Sequence, residues 1–471
     1  MTLCDERKIM TSNANRRLKV SIKTFGCQMN EYDSQVAAGL LQAAGFEMVC
    51  HPHPEEAGRV DEESQNDGGG ADVVLMNTCS VREHAEDRVY GRLGMLGKIK
   101  KRNPNLIVGL MGCMVEEHRE KLFERFPQLD LMVGTRNIKE LPALIEEVTR
   151  TRQQAARIKQ DGISIEYTDL IKREGRFHAW LPIMTGCNKV CTFCIVPITR
   201  GAEVSMPARE VYREASRLVS EGVKWITLLG QNVNSYRGES SLRGQVSFPA
   251  LLERLCQIEG LARISFTTSH PSDATEELFQ AIRRNPKISR RFHLPLQSGS
   301  DRILKRMKRL HTFEDYRKKI SRLRELVPEI SITTDLIAGF SGETEEDHEA
   351  TRHALQEIQY DGAYTYKHSV RPATPAAKLP DDVPREVKER RNAELLSLQR
   401  EITREKNRAL LGRTVEVFVE DRSAKRADEL LGRTIQEKKV VFPGSHDLIG
   451  TLQSVTLLDI KTETFIGILA E

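Results

Sequence analysis

Gly186-Cys187-Asn188-Lys189-Val190-Cys191-Thr192-Phe193-Cys194 follows closely on an apolar stretch at 181–184 that reads as a short strand. Three thiols in so short a loop can surround one group of metal ions, and cysteine is the usual ligand of iron–sulfur clusters. A [4Fe–4S] cube has four corners, so three cysteines leave one iron open, much as catalytic metal sites keep a free position. The competing reading is zinc, for which Cys-x-x-Cys pairs are common. A structural zinc wants a fourth ligand; none adjoins the triplet, and His178 precedes the strand.

Working outward, strands are expected over 181–184, 225–229, 264–267, 292–296, 330–337 and 363–367, with helices such as 208–220 and 313–326 between them. Six β/α units predict a barrel-like parallel sheet, incomplete, with chemistry at the carboxyl ends of its strands. Ahead of it, apolar strands over 20–25, 72–76, 106–111 and 130–133 alternate with helical stretches over 32–44 and 82–101, which points to a second parallel α/β sheet. The acidic, glycine-rich segment 51–71 reads as a surface insertion, and 146–174 as a linker. Beyond a long charged helix over 384–410, alternating β-branched runs over 415–419, 439–442, 449–460 and 464–469 predict a small all-β barrel.

Composition narrows the class. The 471 residues are 39% hydrophobic and 29% charged, which fits two or three soluble domains. No apolar run reaches the roughly 18 residues needed to span a bilayer, and 1–17 lacks the apolar centre of a secretory signal. A cytoplasmic protein is expected, in which nine cysteines are better explained by metal binding and burial than by disulfides. The net charge of +4 is slight, but basic residues are grouped at 98–102 and at Lys305-Arg306-Met307-Lys308-Arg309. These groups, with Arg200, are candidates for a phosphate backbone or for plain solvated helix faces.

The triplet together with Ile195-Val196-Pro197-Ile198-Thr199-Arg200-Gly201 resembles the methylthiotransferase branch of the radical S-adenosylmethionine (SAM) superfamily. Further matches are Thr24-Phe25-Gly26-Cys27-Gln28-Met29-Asn30, Asn77-Thr78-Cys79-Ser80-Val81-Arg82, Leu229-Gly230-Gln231-Asn232-Val233-Asn234 and His293-Leu294-Pro295-Leu296-Gln297-Ser298-Gly299-Ser300. The resemblance extends from about residue 19 to the end. Two turn positions depart from the family pattern, Ala373 standing where glycine is usual and Ser341 where proline is usual.

The resemblance implies a Rossmann-like α/β domain over 19–150, a partial (β/α)6 radical SAM core over 173–405 and a TRAM RNA-binding β barrel over 408–471. It implies two [4Fe–4S] clusters as well as SAM. One cluster, on the catalytic Cys187, Cys191 and Cys194, cleaves SAM; the other sits on Cys27, Cys79 and Cys113, for which spacing alone leaves simple burial as the default. Cys4, Cys50 and Cys256 match no motif. Gly230, Gln231, Asn232 and Gln297 are implied SAM contacts, and 337–340 an approach to the adenine ring. Arg413, Arg433, Lys438, Lys439 and Phe442 are candidates for an RNA face, although Phe442 reads equally well as core.

The implied reaction is methylthiolation of ring carbon 2 of N6-dimethylallyladenosine, beside the tRNA anticodon at position 37. The implied partners are the tRNA anticodon stem-loop and an electron donor such as flavodoxin or ferredoxin, for a monomer with no membrane attachment. Alternative substrates are threonylcarbamoyl-adenosine in tRNA or a ribosomal-protein aspartate. A non-catalytic iron–sulfur or zinc RNA-binding protein is the alternative of another class.

Overall fold

Every residue of Val73–Thr78 and of Ile107–Gly112 is buried, the signature of parallel strands covered on both faces. The computed structural model describes residues 17–49, 70–80, 83–158, 170, 171, 173, 175–239, 244–423, 426 and 428–470. They fall into two compact units, residues 1–174 and 175–471.

In the first unit β1 (Lys19–Phe25), β2 (Glu47–Met48), β3 (Val73–Thr78), β4 (Ile107–Gly112), β5 (Leu131–Val133) and β6 (Ala155–Arg157) form one sheet in the order β2-β1-β3-β4-β5-β6. All of its pairings are parallel. Alternate residues split between two cores. Val73, Leu75, Ile107 and Met111 meet helices Gln28–Ala43 and Leu141–Thr151. Val74, Met76, Val108 and Leu110 meet helix Glu83–Arg102 on the other side. The expected linker is corrected at its start, because residues up to Thr151 continue a helix and β6 pairs with β5. Both short edge strands escape sequence reading, since two or three partly exposed residues carry no apolar run. The expected insertion up to residue 69 lies outside the described residues, as do Cys4 and Cys50.

The second unit opens with β7 (His178–Pro182), β8 (Met184–Thr185) and β9 (Val204–Ser205), followed by β10 (Trp225–Leu229) and the hairpin β11 (Arg237–Glu239) and β12 (Gln245–Ser247). Then come β13 (Arg263–Phe266), β14 (Arg291–His293), β15 (Ser331–Ala338) and β16 (Gly362–Lys367). The six expected strands form two three-stranded parallel sheets, β13-β10-β7 and β14-β15-β16. A single bridge between Ile264 and Ile288 links β13 to the chain leading into β14. The first strand begins earlier than expected and ends at Pro182, after which Ile183 N–H still donates to the Leu229 carbonyl at 2.9 Å.

At the carboxyl end β17 (Thr414–Arg422), β18 (Glu429–Thr434), β19 (Lys439–Pro443), β20 (Leu452–Lys461) and β21 (Thr464–Leu469) close a barrel in the order β17-β18-β19-β21-β20. Val417, Val419, Leu430, Val440, Phe442, Val455 and Phe465 fill it. Phe442 is therefore core rather than RNA face. The barrel rests on the amino ends of the parallel strands. Arg263, 1% exposed, donates to the carbonyls of Arg433 (3.0 Å) and Thr434 (2.9 Å) and stacks over Trp225. Glu437 accepts from the Ser289 hydroxyl at 2.9 Å and pairs with Arg291 at 3.0 Å. Burial opposes its charge, but Arg291 and the Ser265 and Ser289 hydroxyls outweigh it and hold the carboxyl below its usual range.

Two outcomes are expected. Arg263→Ala removes two hydrogen bonds to the barrel and the stack on Trp225 and should cost about 1–3 kcal/mol, read as a lower urea midpoint by tryptophan fluorescence; a wild-type midpoint would contradict this. Burial holds the His178 ring down to about 4 against an ordinary 6.5. The unfolded chain therefore binds a proton that the native state refuses between those values, and stability is lost as pH falls through that window. Thermal melts between about pH 7 and pH 5 test it, and a flat midpoint counts against it.

Candidate functional site

The loop 186–194 is pinned before it is functional. Gly186 has φ +75°, and a Cβ there would lie 2.0 Å from the Ala202 carbonyl oxygen, so only glycine makes the turn out of β8. Its N–H donates to Gln231 Oε1 at 2.6 Å, and Cys187 N–H to the Gly201 carbonyl at 3.1 Å. Thr192 N–H donates to the Met307 carbonyl and its carbonyl accepts from Ala376 N–H, at 3.0 and 2.8 Å. The backbone of the loop is thereby fixed at Gly186, Cys187 and Thr192, and none of its three thiols is in a disulfide.

Burial pushes the Cys194 thiol up to about 12, and the neighbouring Cys191 and Cys187 sulfurs add to the rise. Cys187 is raised for the same first reason. Thiols raised like Cys187 and Cys194 ionise only when cations neutralise them, which is what cluster irons do. The donor set therefore fits an iron–sulfur cluster.

Beside this loop the strand ends present unmatched polar atoms. Asn232, 2% exposed, donates from Nδ2 to Asp273 at 2.7 Å, while its Oδ1 has no hydrogen-bond partner. Asp273 also holds Lys189 of the cysteine loop, at 2.8 Å. His270, 4% exposed, follows β13 and accepts from Ser272 N–H on Nδ1 at 3.2 Å, so the ring proton sits on Nε2. That Nε2 lacks a partner, and burial together with Arg309 and Lys189 pushes the ring down to about 2. A neutral donor and a carbonyl acceptor thus await a polar ligand, a set that fits SAM. Sequence reading passed over His270, although its place after the third parallel strand was a usable signal.

The remaining expected contacts divide. Gly230 lies where a Cβ would come 2.4 Å from Met184 Cγ. Gln231 uses its side-chain oxygen to lock the cysteine loop. Gln297 is buried with φ +74°, its backbone bonded to Asp335 and Ile337. At Gly339, φ +72°, the close neighbour is Lys388, 2.3 Å from a built Cβ.

The basic cluster is corrected by its geometry. Lys305 and Lys308 are exposed, whereas Arg306 donates to Ser341 Oγ at 3.0 Å and Arg309 to Cys191 Sγ at 3.4 Å. Arg200 is buried. Of the barrel candidates, Arg433 pairs with Glu420 and Lys438 binds Asn407, which leaves Arg413 and Lys439 on the exposed surface.

In the first unit the register sets Phe25 beside Thr78 and Thr78 beside Gly112. Cys27, Cys79 and Cys113 therefore follow the carboxyl ends of three adjacent strands, where open α/β sheets place their ligands. Cys79 and Cys113 are buried, and none of the three is in a disulfide. Cys27 caps helix Gln28–Ala43, and both its N–H and its thiol donate to Asn30 Oδ1. Asn30 and Asn77, fully buried, tie the first turn of that helix to the end of β3 through a 3.0 Å hydrogen bond. Gly112, φ +99°, turns β4 into the helix Cys113–His118 where a Cβ would meet Asn77 Oδ1. A largely buried edge carrying three thiols, with Cys27 the most open of them, also fits a cluster.

Comparison with known proteins agrees with this geometry. Residues 19–134 match an uncharacterised protein family, UPF0004, residues 181–355 the radical SAM superfamily and residues 408–468 the TRAM domain. The chain is 42% identical over 450 residues to the tRNA-2-methylthio-N(6)-dimethylallyladenosine synthase of Carboxydothermus hydrogenoformans, covering 95% of this chain and 98% of that one. It is 41% identical over 467 residues to the enzyme of the same name from Thermoanaerobacter pseudethanolicus, covering 99% and 95%. Among solved structures, the radical SAM methyltransferase TsrM of Kitasatospora setae shares the fold, with a TM-score of 0.53 at 14% identity, over 77% of this chain and 75% of that one. With such identity sustained over almost its whole length, the chain belongs to the radical SAM family of tRNA-2-methylthio-N(6)-dimethylallyladenosine synthases.

Proposed function

We propose that this protein transfers a methylthio group to ring carbon 2 of N6-dimethylallyladenosine in tRNA. The observation that carries the reading is identity over nearly the full chain to synthases of that name. Two cysteine triads, each following parallel strands, support it. Cys187, Cys191 and Cys194 would hold one [4Fe–4S] cluster, and Cys27, Cys79 and Cys113 the other. When bound, the clusters and SAM supply one-electron chemistry able to open a ring C–H bond that has no acidic proton.

The chain's own residues bind and orient. Gln231 and Thr192 fix the cysteine loop, Asn232 Oδ1 and His270 Nε2–H meet the polar groups of SAM, and burial of Cys191 keeps water from its sulfur. The TRAM barrel, with Arg413 and Lys439 exposed, takes the anticodon stem-loop. Among the described residues no helix is long and apolar enough to cross a membrane. A cytoplasmic monomer reduced by a small carrier such as flavodoxin or ferredoxin completes the proposal.

Anaerobically reconstituted protein should carry about eight irons per chain, and about four after either Cys191→Ala or Cys79→Ala. Stoichiometric zinc with no SAM cleavage would reject the enzyme in favour of a binding protein. Nucleoside mass spectrometry of tRNA from a deletion strain should show loss of 2-methylthio-N6-dimethylallyladenosine. An unchanged level would redirect the assignment to threonylcarbamoyl-adenosine or a protein aspartate.

A further inference from the structure

Lys308, at φ +54°, turns the chain just after the helix Asp301–Arg306, so that its own side chain is exposed while Arg309 returns inward. Arg309 Nη1–H donates to Cys191 Sγ at 3.4 Å and Nη2–H to the Pro295 carbonyl at 2.8 Å. The planar fork is thus held at two points. The approach is also fixed through the backbone, because Thr192, next to Cys191, bonds to the carbonyls of Met307 and Arg306. Nearby, Lys189 is matched by Asp273. Among the described residues Arg309 forms no ion pair with a carboxylate, its polar contacts being the sulfur and the carbonyl.

We propose that Arg309 is a positioning residue that sets how readily the cluster on Cys187, Cys191 and Cys194 accepts an electron. The proposal rests on the cluster assignment made above. Three thiolates outweigh the positive charge of a [4Fe–4S] core, and the electron that reduces the cluster adds to the excess. A fixed N–H···S bond and an always-protonated guanidinium favour that extra charge, which raises the reduction potential. Cys191 is only 8% exposed, so water screens the interaction little. One electron enters from the external donor. Arg309 gains and loses no proton, and no bond to it forms or breaks.

The test uses the full chain with Cys27, Cys79 and Cys113 replaced by alanine, so that one cluster remains. Its midpoint potential is followed by electron paramagnetic resonance during redox titration. R309Q, which keeps an N–H donor and loses the charge, should shift the potential to more negative values. R309K should shift it less. A cluster at the parent potential in R309Q would overturn the proposal, because a purely structural arginine would alter iron occupancy and leave the potential alone. Should R309Q fail to load iron, R309M, which likewise loses the charge, decides: a negative shift supports the proposal, and the parent potential overturns it. Absence of iron from the parent would instead overturn the cluster assignment, and this proposal with it.

Discussion

Three thiols in one short loop, Cys191 buried and Cys187 and Cys194 half-buried, repel one another once they ionise, and their surroundings are organised around that constraint. Burial raises Cys194 and Cys187 in the metal-free chain. A cationic partner is needed to hold them as thiolates, and Arg309 meets one sulfur directly. The backbone bonds at Gly186, Cys187 and Thr192 fix the loop that carries the sulfurs.

Parallel topology explains why the chemistry-bearing residues lie where they do. In the second unit Asn232, His270 and Gln297 each come just after a parallel strand, on the end of the sheet where the cysteine loop also lies. In the first unit Cys27, Cys79 and Cys113 repeat the arrangement on adjacent strands. Glycines at Gly186 and Gly112 make the exits, in conformations and spaces that a Cβ would not tolerate. Residues tens of positions apart in sequence share an edge because the register of the sheet says so.

The same strands carry a second task at their other ends. Trp225, Arg263 and Arg291 stand at the amino ends of β10, β13 and β14, and they anchor the small barrel through Phe418, the Arg433 and Thr434 carbonyls and Glu437. Within this unit the nucleic-acid module and the cysteine loop therefore occupy opposite ends of one set of strands. A buried arginine stacked on Trp225 and a partly buried ion pair make that attachment specific, since losing one partner of such a pair is costly.

Sequence by itself determined much of this. The six-strand series and the β-branched run after residue 413 predicted the parallel α/β units and the closing barrel, and the Cys187–Cys194 spacing marked the loop after the first of those strands, because local spacing and hydrophobic period are written directly in the chain. Short edge strands were not legible, nor was β18, whose six residues hold only two large apolar side chains, Leu430 and Leu431, side by side. Only tertiary structure decided which way each basic side chain points. Lys305 and Arg309 read alike in sequence, yet one is solvated and the other lies on a cysteine sulfur. The difference comes from one left-handed residue and from long-range backbone pairing with Thr192, neither of which leaves a periodic trace.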